Sequence, residues 1–215
     1  MVPFDLPKSS VVGQTIPKKA FHDHLTPAQK KTLTKGVEKI TWTHKLSTAT
    51  TNLESVDIEE IQIFHIALRE LNDLAPLCTA MEKVIPYTLI LWLEFEGQAM
   101  ISSSQKHLHA IRLNTAVVDW SFSTNWFPIE DCPFQLYLIE TIDETAKRFW
   151  IQLSGKSYDQ NTSTSRLVEE EQHRYRLNQN IKKLQASIAR ERQFNRKVEL
   201  NQQLQTAIRD LKRLA

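Results

Sequence analysis

Acidic side chains at the ends of predicted strands, with one lysine nearby, are the residues of this chain whose chemistry could support hydrolysis. Carboxylates on adjacent strands can bind Mg²⁺, and a lysine beside them can stabilise the charge that develops during phosphodiester cleavage. The residues available for such a metal-dependent nuclease are Glu60, Glu94, Asp119 and Lys106, with Glu59 and Glu96 as neighbouring acids. None of them belongs to a compact acid–x–lysine triplet, and acids at strand ends are usually solvated. A nuclease acting on DNA or RNA is therefore our alternative interpretation.

Two histidine pairs have the spacing of metal ligands, namely His22 with His24 and His107 with His109. Neighbours at i and i+2 point the same way on a strand and could bind zinc or copper. The first pair lies in a predicted helix, where this spacing separates the rings, and no cysteine lies near either pair. We therefore predict surface histidines and no metal site. The four glycines do not cluster into a phosphate-binding loop, so we also predict no cofactor.

The C-terminal part of the chain predicts a basic helical arm. After Gly155 there is no glycine or proline, and strong helix formers dominate from Arg166 onward. Of the chain's 27 lysines and arginines, 12 lie in residues 165–215, against 6 of its 25 acidic residues. Residues 1–164 hold the other 15 basic and 19 acidic residues, so the remainder of the chain is slightly acidic. This distribution is typical of a protein that docks on a partner.

Two apolar seams in the arm are out of phase with each other. The first contains Leu177, Ile181, Leu184 and Ile188, and the second contains Phe194, Leu204, Ile208, Leu211 and Ala215. A change of phase without a glycine indicates either a bend in one long helix or a coiled-coil hairpin, and we favour the hairpin. We expect the bend or packing defect between residues 189 and 197, with Phe194 packed in its seam.

Five polar residues at this change of phase are the candidate contacts to a partner or to nucleic acid. They are Arg190, Arg192, Asn195, Arg196 and Lys197. Guanidinium groups that point in different directions suit either phosphates or a carboxylate-rich protein surface. Both interpretations stay open from the sequence, because a run of charge can also be a solvated helix face.

The first 153 residues predict an α+β body, followed by a polar linker at 154–165 and the arm at 166–215. Apolar residues alternate with polar ones over 40–46, which is typical of a strand with one buried face. Residues 61–68 and 87–93 are apolar on both faces, and we interpret them as central strands. Glu96-Gly97 is suited to a two-residue hairpin turn, and a further strand is expected over 116–122.

Helices are expected on both sides of these strands, giving a mixed sheet of about five strands covered by helices. Thr26, Pro27 and Gln29 form the start signal of one helix, and a second helix is predicted over 73–85. A third helix of about 20 residues is predicted to begin at Pro133. The helical period of its apolar residues predicts a buried stripe of Leu138, Ile142, Ala146, Phe149 and Leu153. Residues 1–15 are expected to be irregular.

The location expected for the protein is cytoplasmic. The N-terminus lacks the apolar segment of a signal peptide, and the longest apolar run, residues 87–93, is too short to cross a bilayer. Cys78 and Cys132 have no CxxC spacing, so we expect two reduced thiols and no membrane contact.

Four segments resemble the bacterial domain of unknown function family 4391. They are RQFNRKVELN (192–201), EEIQIF (59–64), IPKK (16–19) and IPY (85–87), and the resemblance extends from about residue 6 to residue 214. Members of this family are typically found near genes for DNA methyltransferases, helicases and restriction or phage-defence enzymes. The resemblance therefore implies a role beside such enzymes, and it supplies no catalytic motif.

Together these features favour a non-enzymatic accessory subunit of a bacterial defence or restriction-type complex. The expected partner is a larger helicase, methyltransferase or restriction-type protein that contacts the arm or an edge of the sheet. Direct contact of the basic arm with nucleic acid is the second possibility that the charge allows. The sequence leaves the oligomeric state undetermined.

Overall fold

The structure is a computed structural model of the 215-residue chain, and it describes residues 2–71, 73–108, 116–159 and 161–214. The chain divides into two compact units, Met1–Gly155 and Lys156–Ala215. From here on, body means the first of these units and arm means the second, in place of the expected bounds 1–153 and 166–215. None of the helices formed by the described residues is both long enough and apolar enough to cross a membrane.

The body contains a seven-stranded mixed sheet with the strand order β1-β2-β3-β4-β5-β6, and β7 pairs with β5. Only the β3–β4 pair is parallel among these pairings. The strands are β1 (Val11–Ile16), β2 (Val37–Ser47), β3 (Glu60–Leu68), β4 (Thr88–Phe95), β5 (Gln98–Leu108), β6 (Ala116–Ser123) and β7 (Phe127–Pro128).

Helices cover both faces of this sheet, which confirms the predicted α+β class. They are α1 (Pro27–Gly36), the single turn α2 (Thr48–Thr51), α3 (Ala75–Val84) and α4 (Ile142–Ser154). Short 3₁₀ helices occur at Lys8–Ser10, Lys18–His24 and Ile129–Asp131. The helix α3 connects the two parallel strands, as a crossover between parallel neighbours requires.

The central strands have the double-sided burial that their composition predicts. On the face covered by α1 and α3, the core includes Phe64, Ile66, Leu89, Leu91 and Leu93. On the opposite face Trp92 packs edge-to-face against Phe4, which also meets Phe149 of α4. Trp150 of α4 donates its indole N–H to the buried Ser103 hydroxyl at 2.8 Å. Burial on both faces explains why β3 and β4 are almost uninterrupted apolar runs.

Two local start and turn signals form as the sequence predicts. The hydroxyl of Thr26 accepts the backbone N–H of Gln29, whose side-chain oxygen accepts the Thr26 N–H at 2.8 Å, which completes a capping box for α1. Between β4 and β5, Glu96 and Gly97 both have positive φ, at 45° and 78°. This backbone is characteristic of a type I′ hairpin turn, whose twist matches that of the flanking strands.

The first strand corrects the expectation that residues 1–15 are irregular. Val11–Ile16 forms β1 at the edge of the sheet and pairs antiparallel with β2. A register shift between Val11 and Gln14 interrupts the pairing, and Gly13 within it has a φ of 69°. The side chains of β1 are mostly exposed, so this strand lacks the alternating apolar pattern by which strands are recognised in sequence.

The start of α4 is also a correction. The helix predicted from Pro133 begins instead at Ile142, and residues 133–141 are largely non-helical. Glu140 has a positive φ of 51°, and the hydroxyl of Thr141 accepts the Glu144 N–H as the helix cap. The apolar stripe from Ile142 to Leu153 is buried as expected. The local cap therefore determines where the helix starts, whereas the period correctly identified its buried face.

The arm is a hairpin of two helices, which confirms a break between residues 189 and 197. Helix α5 spans Thr164–Arg190, and helix α6 spans Phe194–Arg213. Their apolar sides pack together through Leu184, Leu200 and Ala207, with Ile181, Ile188 and Leu204 at the margin. At the open end of the hairpin, the Arg174 guanidinium donates to the Leu214 carbonyl at 2.5 Å.

The placement of Phe194 in the seam of the arm is wrong. Phe194 is the first residue of α6, and its side chain is 77% exposed. Leu200 and Ala207 occupy the inner positions of this helix instead. The ring of Phe194 therefore has no packing role within the part of the arm that the structure describes and is open to contact with another molecule.

The burial of β3 predicts the effect of a charge at its centre. Ile63 is fully buried and pairs with Ile90 of β4. We expect Ile63→Asp to lower the free energy of unfolding by about 3–5 kcal/mol or more, because it leaves an unpaired charge in the core. Ile63→Val, the matched control, should cost about 0.5–1.5 kcal/mol. Chemical denaturation measures both, and an Ile63→Asp protein as stable as the control would contradict the assignment.

Candidate functional site

The loop of the arm and the first turn of α6 form the surface that we call the hairpin tip, residues 190–198. All five candidate contact residues lie here, and the side chains of Arg190, Arg192, Asn195, Arg196 and Lys197 are all exposed. Arg190 ends α5, and the other four lie in the loop and at the start of α6. The four cations and the amide that lie at the change of phase in the sequence thus lie on one exposed segment of the folded arm.

A carboxylate shapes the turn of the hairpin tip. Glu191 accepts the backbone N–H groups of Arg192 and Gln193, each at 2.8 Å. These two hydrogen bonds lower the pKa of the Glu191 carboxyl, and the cations of Arg196 and Lys197 act in the same direction. The fixed turn orders the backbone from which the basic side chains extend.

One of the four cations has an acidic neighbour on its own helix. The Arg196 guanidinium contacts the Glu199 carboxylate at 2.6 Å, and both side chains are more than half exposed. An exposed pair at this spacing contributes little to stability, about 0–1 kcal/mol, so Glu199 limits the reach of Arg196 only weakly. The surface thus keeps a basic character.

Apolar surface lies beside these cations. Phe194, which is 77% exposed, and Val198, which is 40% exposed, are one helical turn apart on α6. Side chains at i and i+4 share one side of a helix, so the two form a small apolar spot at the tip. Sequence reasoning missed this feature because the spacing from Phe194 to Leu204 and Ile208 resembled a seam.

The four residues proposed for a nuclease have partners outside their own set. Glu60 forms an ion pair with Lys45 at 2.5 Å, and the other acids, Glu94 and Asp119, are hydrogen-bonded to His65 at 2.8 Å and to His107 at 2.9 Å. Lys106 pairs with Glu82 of α3 at 2.7 Å. Sequence reasoning missed Glu82, because it lies on a helix and not at the end of a predicted strand.

These four residues do not converge on one point of the sheet. In the parallel β3–β4 pair, Ile61 aligns with Thr88 and Ala67 with Glu94. Glu60 therefore lies at the opposite end of this pair from Glu94, on the order of 20 Å away at about 3.3 Å per residue. Among the residues that the structure describes, no group of three or more histidine, cysteine, aspartate or glutamate side chains could hold a metal ion.

Lys106 is instead buried against α3. Its amine donates to the Glu82 carboxylate at 2.7 Å, to the Glu82 carbonyl at 3.1 Å and to the Ile85 carbonyl at 2.8 Å. Both charged side chains are only 2% exposed. Burial lowers the pKa of Lys106 and raises that of Glu82, and in each case the attraction of the partner opposes the shift. The three protons of the ammonium group are all used within the protein.

The structure describes three of the four histidines with ligand-like spacing. His22 and His24 lie in the 3₁₀ helix Lys18–His24, and His107 bonds Asp119. His109 lies outside the described residues. In β2, burial lowers the pKa of His44, which favours its neutral form.

The class of protein defined by these features is an α+β domain that carries a basic helical hairpin with an exposed aromatic residue at its tip. The model of the family described as Domain of unknown function (DUF4391) matches residues 4–211, and the chain belongs to this family. No curated protein and no solved structure matches the chain.

The burial of the Glu82–Lys106 pair predicts how its variants behave. We expect Lys106→Met alone and Glu82→Gln alone each to lower the free energy of unfolding by about 3–5 kcal/mol, because each leaves one buried charge without its partner. The double variant Glu82→Gln/Lys106→Met should recover most of the loss, since both charges are gone. A double-mutant cycle in urea measures this coupling. Purely additive losses would show that the two charges do not stabilise each other.

Proposed function

We propose that the protein is a non-enzymatic interaction subunit that docks on a larger protein partner through the hairpin tip. The observation that carries this proposal is Phe194, an aromatic side chain left 77% exposed between basic residues at the end of a helical hairpin. Aromatic residues and arginines are the side chains that most often dominate the energy of protein interfaces. The tip presents both types on one short segment.

The arm is suited to reaching into a partner. Its two helices have 27 and 20 residues, and they pack against each other through their own apolar cluster. This internal packing leaves Phe194 and the basic side chains of the tip outside the seam between the two helices. A preorganised turn also reduces the conformational entropy that binding would otherwise cost.

The chemistry of the tip favours a protein over nucleic acid as the main partner. Phe194 and Val198 form an apolar spot. A charged phosphate backbone offers no apolar surface to cover this spot, whereas a shallow apolar pocket in a protein would bury it. Carboxylates around such a pocket would complement Arg190, Arg192 and Lys197 and would speed association. Stacking of Phe194 on an unpaired base is the competing arrangement, and the experiments below distinguish the two.

The family resemblance supports a partner from the enzymes of bacterial DNA-associated defence. On this proposal the partner is a helicase, a methyltransferase or a restriction-type enzyme, and the complex is cytoplasmic. The scattered partners of Glu60, Glu94, Asp119 and Lys106 give no observation that favours the nuclease alternative.

A quadruple variant of the tip tests the proposal. Replacing Arg190, Arg192, Arg196 and Lys197 by Ala should abolish co-purification of the partner. The pull-down uses the native host with the genes that neighbour this protein's gene left intact. The melting temperature should stay within about 2 °C of the wild type, because exposed side chains contribute little to stability. If DNA were the target, binding to it would weaken, and the slope of log affinity against log salt would flatten by about four.

The arm itself supplies a control matched in charge. Arg176, Lys182, Lys183 and Arg209 are four exposed cations of α5 and α6 that lie away from the tip. Their replacement by Ala removes the same charge and should leave partner binding unchanged. Equal binding by the wild type and both quadruple variants would overturn the proposal. Cleavage of plasmid or single-stranded DNA by the purified protein with Mg²⁺ or Mn²⁺ would favour the nuclease instead.

A separate prediction concerns Phe194 alone. Because its side chain is exposed, we expect Phe194→Ala to change the free energy of unfolding by less than about 0.5 kcal/mol. The same change should weaken partner binding at least tenfold, as expected for an aromatic anchor. Leu200→Ala in the seam is the contrasting variant and should cost about 2–3 kcal/mol. Thermal denaturation and a pull-down report the two effects, and a normal pull-down with Phe194→Ala would contradict the anchor.

A further inference from the structure

A cavity of about 400 Å³ lies in the body between α3 and the strands β5 and β6. None of its lining residues belongs to the hairpin tip, and its volume falls within the size range of small-molecule sites. The helix contributes Cys78, Thr79 and Glu82, and the sheet side contributes Ser102, Ser104 and Ser121. One wall is therefore rich in hydroxyl groups, and the other carries a carboxylate.

The hydroxyl wall is unusual for the inner face of a sheet. Ser102 and Ser104 are buried, and the Ser104 hydroxyl is hydrogen-bonded to that of Ser121 at 2.9 Å. Elsewhere this face of the sheet is covered by apolar residues such as Leu91 and Leu93. Buried serines therefore border the cavity at a position where an apolar core would have larger side chains packed against α3.

The carboxylate wall contains a buried oxygen that lacks a partner. Glu82 Oε2 accepts from Lys106, whereas Oε1 is buried and has no hydrogen-bond partner among the described residues. The Ser104 hydroxyl is a nearby donor that opposes the rise in the pKa of Glu82, and it is also hydrogen-bonded to Ser121. Oε1 itself has no partner within hydrogen-bond geometry among the described residues. An unsatisfied buried carboxylate oxygen costs on the order of 1–3 kcal/mol, so a donor that reached it would be bound favourably.

We propose that this cavity binds a compact organic cation whose N–H groups donate to Glu82, namely a primary amine or a guanidinium compound. Lys106 has no proton left to offer a ligand, since its three hydrogen bonds go to Glu82 and Ile85. The groups that remain are acceptors or hydroxyls, and Asp73 adds a second carboxylate at the exposed rim. An anion would meet two carboxylates and no free cation among these lining residues.

Two further lining residues suit a bound cation. Trp126 is half-buried and can place its indole face against an ammonium or guanidinium group. Cys78 is buried, and burial raises the pKa of its thiol to about 12, with Glu82 acting in the same direction. The thiol is therefore neutral and is not a nucleophile at physiological pH. The cavity is a binding site and not a site of covalent chemistry.

The test compares methylguanidine with methylurea, which has nearly the same shape and no charge. NMR titration of the full chain, following the indole N–H signal of Trp126 assigned with Trp126→Phe, measures binding to each probe. We expect a saturable shift with methylguanidine and an affinity at least tenfold weaker for methylurea. Equal responses to the two probes, or no saturable shift with methylguanidine up to about 50 mM, would overturn the proposal; that limit corresponds to only about 2 kcal/mol of binding free energy.

Variants at the rim keep the test independent of folding. Thr79 is exposed on α3, where both Arg and Glu are good helix formers. Thr79→Arg should weaken methylguanidine binding at least threefold, and Thr79→Glu should strengthen it by a similar factor. The double variant Glu82→Gln/Lys106→Met removes the carboxylate without leaving an unpaired charge, and it should abolish the preference for methylguanidine. Unchanged binding in all three variants would overturn the proposal.

Discussion

The parallel pairing of β3 with β4 is the constraint on which the rest of the body depends. Two adjacent parallel strands need a crossover connection, and here α3 supplies it. Both strands are buried on both faces, so apolar cover is needed on each side of the sheet. The helices α1 and α3 cover one face, and α4 with the N-terminal Phe4 covers the other. The remaining strands extend this centre by antiparallel pairing.

The crossover also explains where the polar features of the body lie. Because α3 packs across the sheet, it holds Glu82 over β5, where Lys106 and the serines face it. Because α3 packs into the same core as α1 and the sheet, Glu82 and Lys106 are both held in the interior. Each of these two buried charges therefore needs the other as its partner. The position of the buried Glu82–Lys106 pair therefore follows from the crossover of α3 between β3 and β4.

The sequence predicted the parts of the fold that have a strong local signal. The central strands, the capping box at Thr26, the Glu96-Gly97 turn and the break in the arm all appear where the residues indicated them. It failed for β1, whose pairing uses backbone groups, and for the start of α4, where the cap at Thr141 outweighed the apolar period. In both cases the deciding interaction does not depend on apolar spacing.

For the candidate sites, the sequence identified the basic residues of the tip but not their geometry. Charge is readable from composition, whereas the exposure of Phe194 depends on how α6 rotates against α5. The role of Lys106 was equally hidden, because its partner Glu82 is 24 residues away along the chain. Contacts of this kind arise from tertiary packing, and a periodic pattern does not contain them.

The interrupted edge strand has a consequence for the behaviour of the protein at high concentration. An exposed edge strand offers unpaired backbone groups to the edge strand of another molecule. The exposed apolar side chains of Val11 and Val12 would stabilise such a contact. The register shift between Val11 and Gln14 leaves only the short stretch 14–16 in regular pairing with β2. A bulge of this kind twists the edge, so that a second sheet finds too few aligned groups to add on. The irregular backbone at Gly13 thus makes this edge of the sheet a poor template for sheet-based aggregation.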